Sequence, residues 1–163
     1  MFTKLESSKN KPEMYETIIN QLKYLLEDVN DNITNLSNTS ALLNAYLKDI
    51  NWVGFYLFKN NELLLGPFQG LPACTKIMIG NGVCGTAAET LQSIVVDDVD
   101  AFPGHIACDG ASKSEIVIPI IINNSFYGLL DIDSPIHNRF DNVDKLYLEK
   151  LINTLISYIS IDS

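Results

Sequence analysis

Three cysteines and three carboxylates are the residues in this chain with the most chemistry to offer. The cysteines are Cys74, Cys84 and Cys108. Cys108 lies in a polar, glycine-rich stretch, residues 100–114 (DAFPGHIACDGASKS), with His105, Asp109 and Gly110 close by. A thiol on such a loop is more accessible than one on a core strand, and accessibility with a lowered pKa makes a cysteine reactive. Cys74 follows a Gly/Pro-rich run, residues 66–73, and opens a short strand. Cys84 follows Gly82 at the start of a helix, where the helix dipole favours a thiolate. Its Val83 and Ala-rich neighbours fit ordinary packing as well, and small buried hydrophobes are the commonplace fate of cysteines. Separations of 10 residues (74 to 84) and 24 (84 to 108) match no zinc-ligand pattern, and only two histidines are available, so no metal site is expected.

Asp131 and Asp133 close an apolar strand, residues 126–133 (FYGLLDID), and two residues apart on a strand means one shared face. Glu115 opens another apolar strand, residues 115–122 (EIVIPIII). Adjacent carboxylates repel unless a proton or a cation sits between them. A substrate ammonium group would fill that place; acids left wet at a sheet edge are the plainer alternative. Trp52, the sole tryptophan, is either core or the wall of a pocket, where its ring suits a methyl or sulfonium-like group.

The elements that position these residues follow from hydrophobic periodicity. Residues 13–29 and 36–47 have helical spacing. Residues 51–58 (NWVGFYLF) form a strand with Trp52, Gly54, Tyr56 and Phe58 on one side and Val53, Phe55 and Leu57 on the other. A turn at 59–61 leads to a strand over 62–65, interrupted by Gly66 and Pro67. A short strand over 74–79, a helix over 83–92 and a strand over 94–99 precede the long loop, whose length itself suggests function. Strands over 115–122 and 125–133 and a helix over 142–160, capped by Asp141, complete the chain. Strands joined by tight turns imply an α+β domain with an antiparallel sheet and helices to one side. No repeat or boundary divides residues 1–163.

The net charge of −9 disfavours nucleic acid and anionic membrane surfaces as partners. The N-terminus shows no signal-peptide pattern, and the longest apolar run, 116–122, is too short to span a bilayer, so the expected location is the cytoplasm. An odd cysteine count there argues against a structural disulfide framework.

Specific motifs run through nearly the whole chain. They are residues 51–56 (NWVGFY), 66–70 (GPFQG) with Ala73-Cys74, 82–88 (GVCGTAA), 102–109 (FPGHIACD), 114–119 (SEIVIP) and 128–134 (GLLDIDS). Together they resemble the free methionine-R-sulfoxide reductases. The resemblance implies a GAF fold, with helices on one sheet face and loops covering a ligand pocket on the other. It implies Cys108 as nucleophile and Cys74 as main resolving cysteine, with Cys84 matching a third family cysteine of less defined role. Glu115, Asp131 and Asp133 match carboxylates that line the pocket, and Trp52 matches an aromatic residue of the same pocket; Tyr56, on the same strand side as Trp52, is expected to bind substrate with it. A homodimer is suggested by the resemblance alone.

The chemistry expected on this basis is attack of the Cys108 thiolate on the sulfoxide sulfur, with a proton delivered to oxygen by Glu115 or Asp133. The remaining carboxylates would hold the α-ammonium. A sulfenic acid on Cys108 would condense with Cys74, and thioredoxin would reduce the resulting Cys74–Cys108 disulfide. No bound cofactor is required. Two other functions remain open to the same residues: a ligand-binding GAF sensor, and a thiol redox sensor or peroxide scavenger. A phosphate-bearing ligand would call for basic groups where this chain marks acids. A peroxide sensor would not need Glu115, Asp131 and Asp133.

Overall fold

Asn10 caps the first helix, α1 (Lys11–Leu26), by accepting a hydrogen bond from the Glu13 amide, with Pro12 in the first turn. Asp31 caps α2 (Asn32–Tyr46) through the Thr34 amide at 2.7 Å. That cap starts α2 well before Leu36, because it outweighs the poor helix propensity of the Asn and Ser residues that follow. The computed structural model describes residues 2–6, 10–104 and 110–161. Within these, the chain continues as β1 (Trp52–Lys59), β2 (Glu62–Gln69), β3 (Lys76–Met78), α3 (Gly82–Thr90) and β4 (Ile94–Val96). A 3-10 turn (Val99–Ala101), β5 (Ser114–Ile122), β6 (Ser125–Ser134) and α4 (Asn142–Ile156) follow. Asp141 and Asp144 close a capping box at the start of α4.

The six strands form one antiparallel sheet in the order β3-β2-β1-β6-β5-β4. Gly66 and Pro67 do not end β2, which runs on to Gln69. The register against β1 shifts between Gly54 and Tyr56, and β3 pairs only with Glu62–Leu64. Pro67 therefore lies in an irregular stretch on an open edge, where a missing amide hydrogen is tolerated.

Strand alternation divides the interior in two. Val53, Phe55, Leu57, Ile116, Ile118, Ile120, Leu130 and Ile132 face α1, α2 and α4, whose Tyr15, Ile18, Leu22, Leu36, Leu43, Leu148 and Leu151 complete the larger core. Trp52, Tyr56, Leu63, Val117 and Leu129 face the other way and pack against Val83, Cys84, Ala87 and Ala88 of α3. Three helices thus share one face, while the fourth joins the connecting segments on the opposite face. The small side chains of α3 let it lie close to the sheet there.

The segment between β6 and α4 is secured by a buried carboxylate. Asp144 accepts from Tyr15 Oη at 2.7 Å, Lys11 Nζ at 2.6 Å, Arg139 Nη1 at 3.4 Å and the Asp141 amide at 2.9 Å. Arg139 in turn donates its amide to Ser114 Oγ, next to Glu115. Removing a buried partner leaves the surrounding polar groups unpaired, so Asp144→Ala should lower stability by about 3 kcal/mol. Urea unfolding of the variant checks this; a loss under about 1 kcal/mol would mean that the network adds little.

Candidate active site

Register on three central strands assembles the acids. Across β1, β6 and β5, Trp52 stands opposite Asp133 and Asp133 opposite Glu115. In the neighbouring row Gly54 stands opposite Asp131 and Asp131 opposite Val117. All of these residues point to the face that α3 covers. Glu115 and Asp131 are each only 6% exposed, while Asp133 is half-buried.

Helix α3 sets a thiol against this cluster. Cys84 Sγ donates to Glu115 Oε1 at 3.7 Å. One ligand atom each from Cys84, Glu115 and Asp131 lies within 4.8 Å of the other two. Gly85 makes the placement possible: a Cβ there would lie 2.4 Å from the Met78 carbonyl oxygen. Asp131 Oδ1 is buried and has no hydrogen-bond partner among the described residues.

Such crowding away from water favours neutral forms. Burial, with Asp131 and Asp133 nearby, pushes the Glu115 carboxyl well above the usual carboxylate range. Burial raises Asp131 to about 7, against the opposing hydrogen bonds of Cys84 and Glu115. The Cys84 thiol is also pushed well up, first by burial and then by the three acids. The helix dipole expected to favour a thiolate at Cys84 is outweighed by desolvation and three adjacent acidic groups. This thiol is a hydrogen-bond donor and a poor nucleophile in its present setting.

An aromatic stack forms the adjoining wall. The Trp52 ring lies 5.3 Å from Phe68 at 15° and 5.9 Å from Tyr56 at 26°. Phe68 is the functional-site neighbour that sequence reasoning passed over, because β2 was expected to stop before it. Gly54 permits the stack, since a Cβ at that position would lie 2.3 Å from Phe68 Cβ and 2.7 Å from the Trp52 ring. Trp52 Nε1 donates to the Leu71 carbonyl at 3.1 Å, and Tyr56 Oη donates to the Cys74 carbonyl at 2.9 Å. Burial and then Asp131 push the Tyr56 phenol up, which keeps it a donor. The two hydrogen bonds fasten the segment carrying Cys74 onto β1.

Cys74 is disulfide-bonded and Cys84 is a free thiol. Cys108, with its neighbours His105 and Asp109, lies outside the described residues. The described flanks of that loop rejoin the sheet through Val99 N to the Lys113 carbonyl and Lys113 N to the Ser134 carbonyl. The structure therefore brings Trp52, Tyr56, Cys84, Glu115, Asp131 and Asp133 to one face, with Cys74 tied to its rim through Tyr56.

Residues 26–157 match the GAF domain family. The free methionine-R-sulfoxide reductase of Escherichia coli is 47% identical over 90% of this chain and 88% of its own length. The free methionine-R-sulfoxide reductase of Saccharomyces cerevisiae is 48% identical over 89% of this chain and 85% of its own. The chain belongs to the free methionine-R-sulfoxide reductases. The structure of the Neisseria meningitidis free methionine-R-sulfoxide reductase in complex with its substrate aligns with a TM-score of 0.93. That alignment has 41% identity and covers 97% of this chain and 95% of the other. The GAF architecture expected from the sequence is thereby established, and in this free methionine-R-sulfoxide reductase the acids and the aromatic stack share one sheet face.

Gly54→Ala tests that construction. The added methyl must push Phe68 away from Trp52, with a stability loss of roughly 2–3 kcal/mol. The emission of the sole tryptophan should shift to the red as Trp52 loses its cover. Unchanged emission and unchanged unfolding would show that the close approach is relieved without disturbing the stack.

Proposed function

We propose that this chain reduces free methionine-R-sulfoxide to methionine with its own thiols, without a bound cofactor, and is recycled by thioredoxin in the cytoplasm. No helix among the described residues is long and apolar enough to cross a membrane. The observation that carries the reading is the partnerless Asp131 Oδ1, buried close to Glu115 on the sheet face that Trp52 shares. A buried acceptor with no donor favours a ligand that brings one. An α-ammonium brings three N–H groups and a positive charge. A peptide-bound residue lacks that ammonium, so the same acids select the free amino acid.

The ammonium would stabilise the charged form of Asp131 and, with it, of the more exposed Asp133. Glu115, more deeply buried than Asp133, is then the carboxyl that keeps a proton for the sulfoxide oxygen. Trp52, flanked by Phe68 and Tyr56, suits the apolar methylthio end of the substrate.

Cys108 supplies the nucleophile. Its Sγ bonds to the sulfoxide sulfur while the oxygen takes a proton from Glu115. The S–O bond of the substrate breaks as the protonated oxygen passes to Sγ, the Sγ–S bond breaks with its electron pair returning to the methionine sulfur, methionine leaves, and Cys108 is left as a sulfenic acid. The Cys74 thiolate then attacks that sulfur, forming a Cys74–Cys108 disulfide and releasing the oxygen as water. Methionine sulfoxide and two thiols thus become methionine, one disulfide and water. A dithiol of the thioredoxin type exchanges with the disulfide and restores both thiols. The disulfide at Cys74 and the neutral, buried thiol at Cys84 support this division of labour. Cys84 then acts by donating a hydrogen bond to Glu115.

Two sets of variants test the assignments. Cys108→Ser should release no methionine even in a single turnover, while Cys74→Ser should release about one per chain and fail to recycle with thioredoxin. Normal turnover by Cys108→Ser would overturn the nucleophile. Glu115→Gln should lower kcat by about 100-fold or more, as loss of a general acid does. Asp131→Asn should instead act mainly on KM, and an unchanged KM would remove Asp131 from the ammonium site.

A further inference from the structure

The contact between Cys84 and the acids has a second consequence, independent of Cys74 and Cys108. Cys84 Sγ and Glu115 Oε1 are 3.7 Å apart, and the Asp131 donor atom completes a triangle with no side above 4.8 Å. A tetrahedral zinc ion with Zn–S near 2.3 Å and Zn–O near 2.0 Å holds its sulfur and oxygen ligands about 3.5 Å apart. The three side chains thus stand close to the spacing of a three-ligand zinc site, with a fourth position open. Asp131, 6% exposed, hydrogen-bonds Cys84 and Glu115, yet its Oδ1 is buried with no hydrogen-bond partner among the described residues, which leaves acceptor capacity for a cation.

We propose that Cys84, Glu115 and Asp131 form an inhibitory site for one thiophilic divalent cation of the zinc class, which excludes substrate while bound. The exclusion rests on the reading that these acids receive the substrate's ammonium; the binding does not. The thiolate selects the class of ion. Magnesium and calcium seek oxygen ligands and higher coordination numbers, whereas zinc and cadmium accept sulfur in a four-coordinate shell. The thiol proton leaves to water as the sulfur–metal bond forms. The ion neutralises the carboxylates that otherwise repel one another. Metal-ligand spacing in the chain conceals the site, because residues 84, 115 and 131 come from α3, β5 and β6 and meet only through the fold.

The test uses the full chain in its disulfide form, so that Cys84 supplies the thiol and the resolving pair does not compete. Zinc is titrated against a chromophoric chelator, and cobalt(II) replaces it for spectroscopy. The expected result is one ion per chain, a thiolate-to-cobalt charge-transfer band, and an apparent affinity that falls as methionine-R-sulfoxide is added. Cys84→Ser should abolish the band and weaken zinc by more than the roughly 100-fold typical of losing an outer-shell partner. Asp131→Asn, which leaves the thiol in place, should weaken zinc as well and guards against a folding defect in the first variant. No bound ion, or an ion held equally by Cys84→Ser, would overturn the site. Binding that ignores the substrate would overturn the exclusion. Methionine release by metal-free protein is measured separately, so failure here is distinct from failure of the reductase reading.

Discussion

A carboxyl group held away from water must keep a proton or find a cation. Glu115 and Asp131 are held in that state by strand register, which places them on the covered face of the sheet beside Asp133. The rest of the site is organised around this constraint. Cys84 stays protonated and gives Glu115 a hydrogen bond. Tyr56 keeps its own proton and uses it to hold the Cys74 carbonyl. The structure tolerates the desolvation because the opposite sheet face carries a separate, larger and mainly apolar core with α1, α2 and α4. The larger core and the candidate active site thereby lie on opposite faces of one sheet.

On the proposed mechanism, that division suits a GAF fold to the reduction of a free amino-acid sulfoxide. A phosphate-bearing ligand would meet three acids on the covered face, and electrostatic repulsion would oppose it. An amino acid presents the complementary charge at its ammonium end and an apolar group for the stacked rings. On the proposed mechanism the same geometry would join substrate recognition to thiol chemistry, because β1 contributes Trp52 to the wall and Tyr56 to the anchoring of Cys74.

Much of this was legible in the chain itself. The alternation of residues 51–58 gave Trp52 and Tyr56 a common side, and the two-residue step from Asp131 to Asp133 gave the acids theirs. Capping chemistry located α4 at Asp141. Register between strands is a property of the folded sheet, so the alignment of Glu115 with Asp133 could not be read from their positions in sequence. The contact of Cys84 with Glu115 was hidden for the same reason. Local signals misled where tertiary context won: the helix dipole at Cys84 lost to burial, and Gly66-Pro67 bent β2 without ending it. The continuation of β2 is what delivers Phe68 to Trp52.

The most direct test of the central claim compares methionine release by the purified, reduced protein from three substrates: free methionine-R-sulfoxide, its S epimer, and the N-acetylated R form. A buried acid cluster that reads the ammonium predicts about one methionine per chain, with loss of two thiols, from the free R form alone. Equal release from the N-acetylated compound, or no release from the free R form, would contradict it.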